Sequence, residues 1–83
     1  MRAVAATGER TLEVREVADA EPGPREVAVR VSACGICGSD LHMLPSGVLP
    51  DGAIMGHEVA GTVTALGAGV TGWSEGDRVC VYP

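Results

Sequence analysis

Gly56-His57-Glu58-Val59-Ala60-Gly61-Thr62-Val63-Thr64-Ala65-Leu66 sets an imidazole and a carboxylate at the head of a run that alternates with a period of two. His57, Val59, Gly61, Val63 and Ala65 fall on one face, with Glu58, Ala60, Thr62, Thr64 and Leu66 on the other. That is the pattern of a strand whose successive side chains point to opposite sides of a sheet. Partners for it lie on both sides in the chain. From Glu26 the same period returns, with Val27, Val29, Val31 and Ala33 on one side and Ala28, Arg30, Ser32 and Cys34 on the other. Arg2 to Ala6 and Thr11 to Val17 are two further β-prone runs joined by the turn-like Thr7-Gly8-Glu9-Arg10, with Gly8 available for positive φ, and they read as a hairpin. In the second of these runs Leu12 and Val14 alternate with Glu13 and Arg15, as in a strand with one wet face. Arg78 to Tyr82 is a last β-prone run, so the fold class is mainly β.

Between these runs the chain is punctuated. Pro22, Gly23 and Pro24 make Asp19 to Arg25 a loop. After Cys34 the alternation stops, and Ser39 and Asp40 are available to cap a short helical turn through Leu41 to Leu44. Pro45, Gly47, Pro50 and Gly52 then enforce a loop. Gly67-Ala68-Gly69-Val70-Thr71-Gly72 fits the spacing of a dinucleotide-binding loop, but Trp73-Ser74-Glu75-Gly76-Asp77 does not open a helix, so a glycine-rich turn is the expectation.

At 83 residues the chain makes one domain at most, and one whose stability calls for help from a metal, a partner or more chain. Trp73 and Tyr82 are its only aromatics, which leaves Val, Ala and Leu to build the core. The net charge of −5, without a basic stripe, argues against nucleic acid or an anionic membrane surface as partner. Arg2, Glu9, Arg10, Glu13 and Arg15 interrupt any signal-peptide core, and no apolar run approaches the length of a membrane span, so a cytoplasmic protein is expected. Three cysteines, an odd number, fit thiolate chemistry in a reducing compartment better than a disulfide framework.

The chemistry is concentrated between Cys34 and Glu58. Cys37-Gly38-Ser39-Asp40-Leu41-His42 offers a thiol, a hydroxyl, a carboxylate and an imidazole, and His57-Glu58 adds a second imidazole and carboxylate. Thiolate with imidazole is a donor set that zinc prefers, although cysteines are often buried small hydrophobes and histidines core hydrogen-bonders. Cys34-Gly35-Ile36-Cys37 is a C-x-x-C that lacks the second half a zinc knuckle needs and the βαβ frame of a redox pair. Cys34 is expected to pack at a strand end and Cys80 in the core. Cys37 with His57 is the stronger pair, because closing the roughly twenty-residue loop between them costs only a few kcal/mol, which zinc coordination offsets. An open catalytic zinc site takes three protein ligands. The chain offers two firm ones, with Glu58 as a third or an occasional visitor, a shortfall that suggests an incomplete chain.

Gly56-His57-Glu58-x-x-Gly61-x5-Gly67-x-x-Val70 resembles the signature of the zinc-containing alcohol dehydrogenases, the medium-chain dehydrogenase/reductase family. Cys34 to His42 resembles that family's first-ligand motif, and Gly76-Asp77-Arg78-Val79 is similar to its next landmark. The resemblance implies that residues 1–83 are the N-terminal portion of a GroES-like catalytic domain, a partly open β-barrel here truncated, with the Rossmann cofactor domain absent from this chain. It implies a catalytic zinc on Cys37 and His57, with Glu58 beside it as transient ligand or neighbouring carboxylate, and Asp40 holding the other ring nitrogen of His57. Ser39 would accept the substrate hydroxyl proton and pass it toward His42, while hydride leaves a small-molecule alcohol or polyol for NAD or NADP. The full-length protein would be a homo-oligomer. A third zinc ligand and a four-cysteine structural lobe, which many family members carry further on, are not in this sequence. Gly38, where some relatives have Arg, looks more like the polyol and threonine dehydrogenase branches. The chain alone is expected to be inactive, and the rival expectation is a non-catalytic β module or truncated product that keeps the fold with weak zinc binding.

Overall fold

A computed structural model describes residues 1–81. Its elements in chain order are β1 (Arg2–Ala6), β2 (Leu12–Glu16), β3 (Val27–Gly35), α1 (Gly38–Ser46), β4 (Glu58–Leu66) and β5 (Arg78–Cys80). The fold is mainly β, as the alternation implies, and its strands form two open antiparallel sheets, β1-β2 and β3-β4-β5. They belong to two compact units, one of Met1–Asp19 with Ile36–His57, the other of Ala20–Gly35 with the chain from Glu58 onward.

In the first unit β1 and β2 are the expected hairpin, with Val4 opposite Val14 and Ala6 opposite Leu12. Its turn is closed by the Thr7 amide donating to the Thr11 carbonyl at 3.0 Å and by the two threonine hydroxyls at 2.7 Å. Gly8 takes the expected positive φ of 83°, and Arg10 joins it at 64°. The other edge of β1 is covered by the segment before β4: the Ala6 amide donates to Ala53, the Gly52 amide donates to Ala6, and Ala5 bridges Ile54. This edge-covering segment buries Ala5 and Ala6 to 1% exposure. The wet face of β2 differs from the expectation. Leu12 and Val14 are 42% and 65% exposed, while the side chain of Arg15 is only 30% exposed. The guanidinium of Arg15 is drawn in by Glu13 and by Asp51, which accepts at 2.6 Å.

The helix is longer than the expected turn and starts earlier. It runs nine residues through Pro45, with Cys37 in extended conformation as its N-cap, where Ser39 or Asp40 had been expected. Gly47 ends it with φ 77°, its amide donating to Leu44 at 3.4 Å, a left-handed exit that glycine makes cheaply. The loop of prolines and glycines therefore begins at Gly47.

In the second unit β4 is central, flanked by β3 and β5. Its alternation holds, since Gly61 and Val63 are buried while Thr64 and Leu66 are exposed. The strict alternation expected of β3 does not hold. Register shifts leave Thr64 of β4 and Ser32 of β3 without direct partners, so the side-chain faces change past Val31. The turn from Gly67 to Gly76 contains no helix, in keeping with the rejection of a dinucleotide loop. Gly67 packs so closely that a Cβ there would lie 1.9 Å from the Gly23 carbonyl oxygen. Cys34 and Cys80, expected to pack at a strand end and in the core, are both exposed. A three-stranded sheet leaves part of its surface uncovered, and both thiols lie there. Strand β5 stops at Cys80, and Tyr82 of the expected run lies outside the described residues. Among the described residues no helix is long and apolar enough to cross a membrane.

Candidate metal centre

The last rung of the β3-β4 ladder pairs Gly35 with Glu58. Two residues beyond Gly35 the chain reaches Cys37, and one residue before Glu58 it has just left His57. In the first unit the thiol of Cys37 and a ring nitrogen of His57 offer ligand atoms within 4.8 Å of one another. Donors about 2.0 to 2.3 Å from a common tetrahedral zinc sit roughly 3.5 to 4 Å apart, so ligand atoms within that bound suit a shared ion. A soft thiolate beside an imidazole is a donor set suited to zinc.

The first turn of α1 holds this pair. Asp40 is the third helical residue, and its Oδ2 accepts from the Cys37 amide at 3.0 Å, tying the cap residue to the helix it starts. Its other oxygen, Oδ1, lies 3.6 Å from Nδ1 of His57, beyond a hydrogen bond and within ion-pair range for a protonated ring. One carboxylate thus addresses both metal-ligand candidates, and its side chain is only 14% exposed. With Nδ1 facing Asp40, Nε2 is the ring nitrogen turned elsewhere, and the hydroxyl of Ser39 lies 3.5 Å from it. His42 follows Ser39 by three residues on α1, hence on the same helical face, and is exposed. Glu58 opens β4 and is exposed.

Cys37, Ser39, Asp40 and His57 are therefore brought together in the first unit. The thiol of Cys34 donates to the carbonyl of Gly35 at 3.8 Å, and none of the three cysteines is in a disulfide. The double engagement of Asp40 escaped sequence reasoning. Its signal is the Cys37-x-x-Asp40 spacing, that of a cap residue and a third-position carboxylate.

Residues 23–83 match the alcohol dehydrogenase GroES-like domain, and the chain belongs to that family. It is 48% identical over 68 residues to sorbitol dehydrogenase of Gallus gallus, a match covering 76% of this chain and 19% of the relative. It is 40% identical over 85 residues to the uncharacterized zinc-type alcohol dehydrogenase-like protein YphC of Escherichia coli K12, covering 90% and 24% respectively. Among solved structures, alcohol dehydrogenase TADH of Thermus sp. ATN1 superposes with a TM-score of 0.87 at 38% identity, over 96% of this chain and 24% of that one. The chain thus spans about a fifth to a quarter of the length of these relatives.

Proposed function

We propose that this chain is the N-terminal portion of the catalytic domain of a zinc-dependent dehydrogenase that moves hydride from a small alcohol or polyol to NAD or NADP. The observation that carries the reading is the Cys37–His57 pair, ligand atoms within 4.8 Å, held by Asp40 from the first turn of α1. The dehydrogenase names of the similar proteins support the reaction class, and the zinc-type name of one supports the metal.

In this reading Cys37 and His57 hold the zinc, and Glu58, the next residue in the chain, serves as transient ligand or neighbouring carboxylate. Bound zinc supplies a Lewis acid that lowers the pKa of an alcohol hydroxyl. Asp40 fixes the ring of His57 through Nδ1 and so leaves Nε2 for the metal. Ser39, 3.5 Å from that nitrogen, takes the hydroxyl proton, and His42, one turn further on and exposed, delivers it to solvent. The nicotinamide cofactor is bound by residues outside this chain, so residues 1–83 alone turn over no alcohol. Cysteines outside any disulfide fit a cytoplasmic setting.

Cobalt titration of the metal-free protein tests the site, since thiolate-bound cobalt has an intense near-ultraviolet charge-transfer band. The band is expected in the parent protein and in Cys34→Ser, and lost in Cys37→Ser. The ligand-field bands weaken in His57→Ala. A band that survives Cys37→Ser overturns the assignment and favours a non-catalytic β module.

A further inference from the structure

The span between the two proposed ligands is gripped by a hairpin that supplies neither of them. Residues 38–56 separate Cys37 from His57, and they share one compact unit with β1 and β2. At the end of α1 the guanidinium of Arg10 lies over Gly47, where a Cβ would come 3.0 Å from Nε and 3.3 Å from Nη2. Further on, the carboxylate of Asp51 accepts from Nη2 of Arg15 at 2.6 Å. The hairpin turn closes on the same residue, since a Cβ on Gly8 would lie 3.2 Å from the Asp51 amide nitrogen. Beside this contact the Gly52 amide donates to the Ala6 carbonyl and the Ala6 amide to the Ala53 carbonyl, both at 2.8 Å. Arg15 is also held by Glu13 on its own strand, which orients the guanidinium toward the segment it grips.

Resting on the proposed zinc site, we propose that Arg15 and Asp51 are positioning residues: their ion pair fixes the segment ahead of His57 to the hairpin and so delivers the imidazole to Cys37 before a metal binds. A loose span of this length loses its freedom on closing around an ion, and affinity falls by that cost. A span already fastened to the hairpin is closed in the metal-free protein.

Zinc affinity, measured on the intact metal-stripped protein by competition with a chromogenic chelator, reads this directly. Arg15→Met and Asp51→Ala are each expected to weaken zinc binding by about twofold to fivefold, the range that surface ion pairs span. The two substitutions change the net charge in opposite directions. Attraction of the cation at a distance would therefore split them, with Arg15→Met binding more tightly and Asp51→Ala more weakly than the parent. The double variant Arg15→Met/Asp51→Ala should lose no more than either single one, because both act through one contact. Glu16→Ala is the control, for its carboxylate lies 3.5 Å from the Met1 ammonium, and it should bind zinc as the parent does. Unchanged affinity in either single variant, shifts of opposite sign, or losses that add in the double variant overturn the proposal. If Arg15→Met does not fold by circular dichroism, Asp51→Ala against Glu16→Ala decides, since each removes one negative charge, and equal affinities there are fatal. Should Cys37→Ser bind zinc as the parent does, the metal site itself falls, a result distinct from all of these.

Discussion

Gly61 has no room for a methyl group, and the obstruction is backbone. A Cβ on Gly61 would lie 2.3 Å from the carbonyl oxygen of Arg30 and 2.7 Å from Cγ1 of Val29. The carbonyl belongs to a paired strand whose position the ladder fixes, so relief means separating β3 from β4. Overpacking of this kind costs about 1 to 3 kcal/mol, and more where backbone must yield. Gly61→Ala is therefore expected to lower the stability of the protein by about 3 kcal/mol, visible as a lower denaturation midpoint with an unchanged slope. A midpoint equal to the parent's would show that the strands can part freely there. The glycine spacing of the sequence signature is legible on inspection, but its cause is not. Gly61 and Gly67 are excluded volumes against carbonyls of distant residues, and Gly56 takes a φ of 116° that suits glycine alone. Nothing in the local sequence separates these reasons.

Among the elements, α1 carries most of the site and was the least legible. Alternation marks β2, β3 and β4 in the sequence, while β1 and β5 are marked only by β-prone residues. A nine-residue helix with Pro45 in its last turn and only weak amphipathicity leaves no such trace. Alternation also shows that two faces differ without showing which is covered, hence the exposed Val14 and Cys80. The bulge at Ser32 inverts the pattern for the rest of β3 and has no marker in residue type. The start of α1 depends on the bond from the Cys37 amide to Asp40. Asp40→Ala removes it and is expected to cost about 1 kcal/mol, the usual scale for a helix N-terminus deprived of its side-chain acceptor. Asp40→Asn keeps an acceptor for that amide while removing the charge that faces His57, so it should retain most of the stability. Thermal melts of the two variants separate the roles: equal losses would mean that capping is not what Asp40 contributes to the fold.

For the molecule as a whole, the small core makes the metal consequential. The fully buried apolar side chains among the described residues are Ala5, Ala6 and Val63, a modest contribution from the hydrophobic effect. In the proposed site zinc joins the residue that starts α1 to the one that precedes β4, pinning a loop of roughly twenty residues at both ends, a constraint that the unfolded chain lacks. A ligand that binds only the folded state adds RT ln(1 + [L]/Kd), about 2.7 kcal/mol at a free concentration of about 100 Kd. Zinc should therefore raise the melting temperature of the metal-stripped protein by several degrees, the shift growing with the logarithm of free zinc. A chelator should reverse it. Cys37→Ser and His57→Ala should melt at one temperature with or without zinc, while Cys34→Ser, which removes none of the proposed ligands, should respond as the parent does. A zinc-dependent shift that persists in Cys37→Ser would place the stabilising ion on other residues and remove the physical basis for a catalytic metal at this helix start.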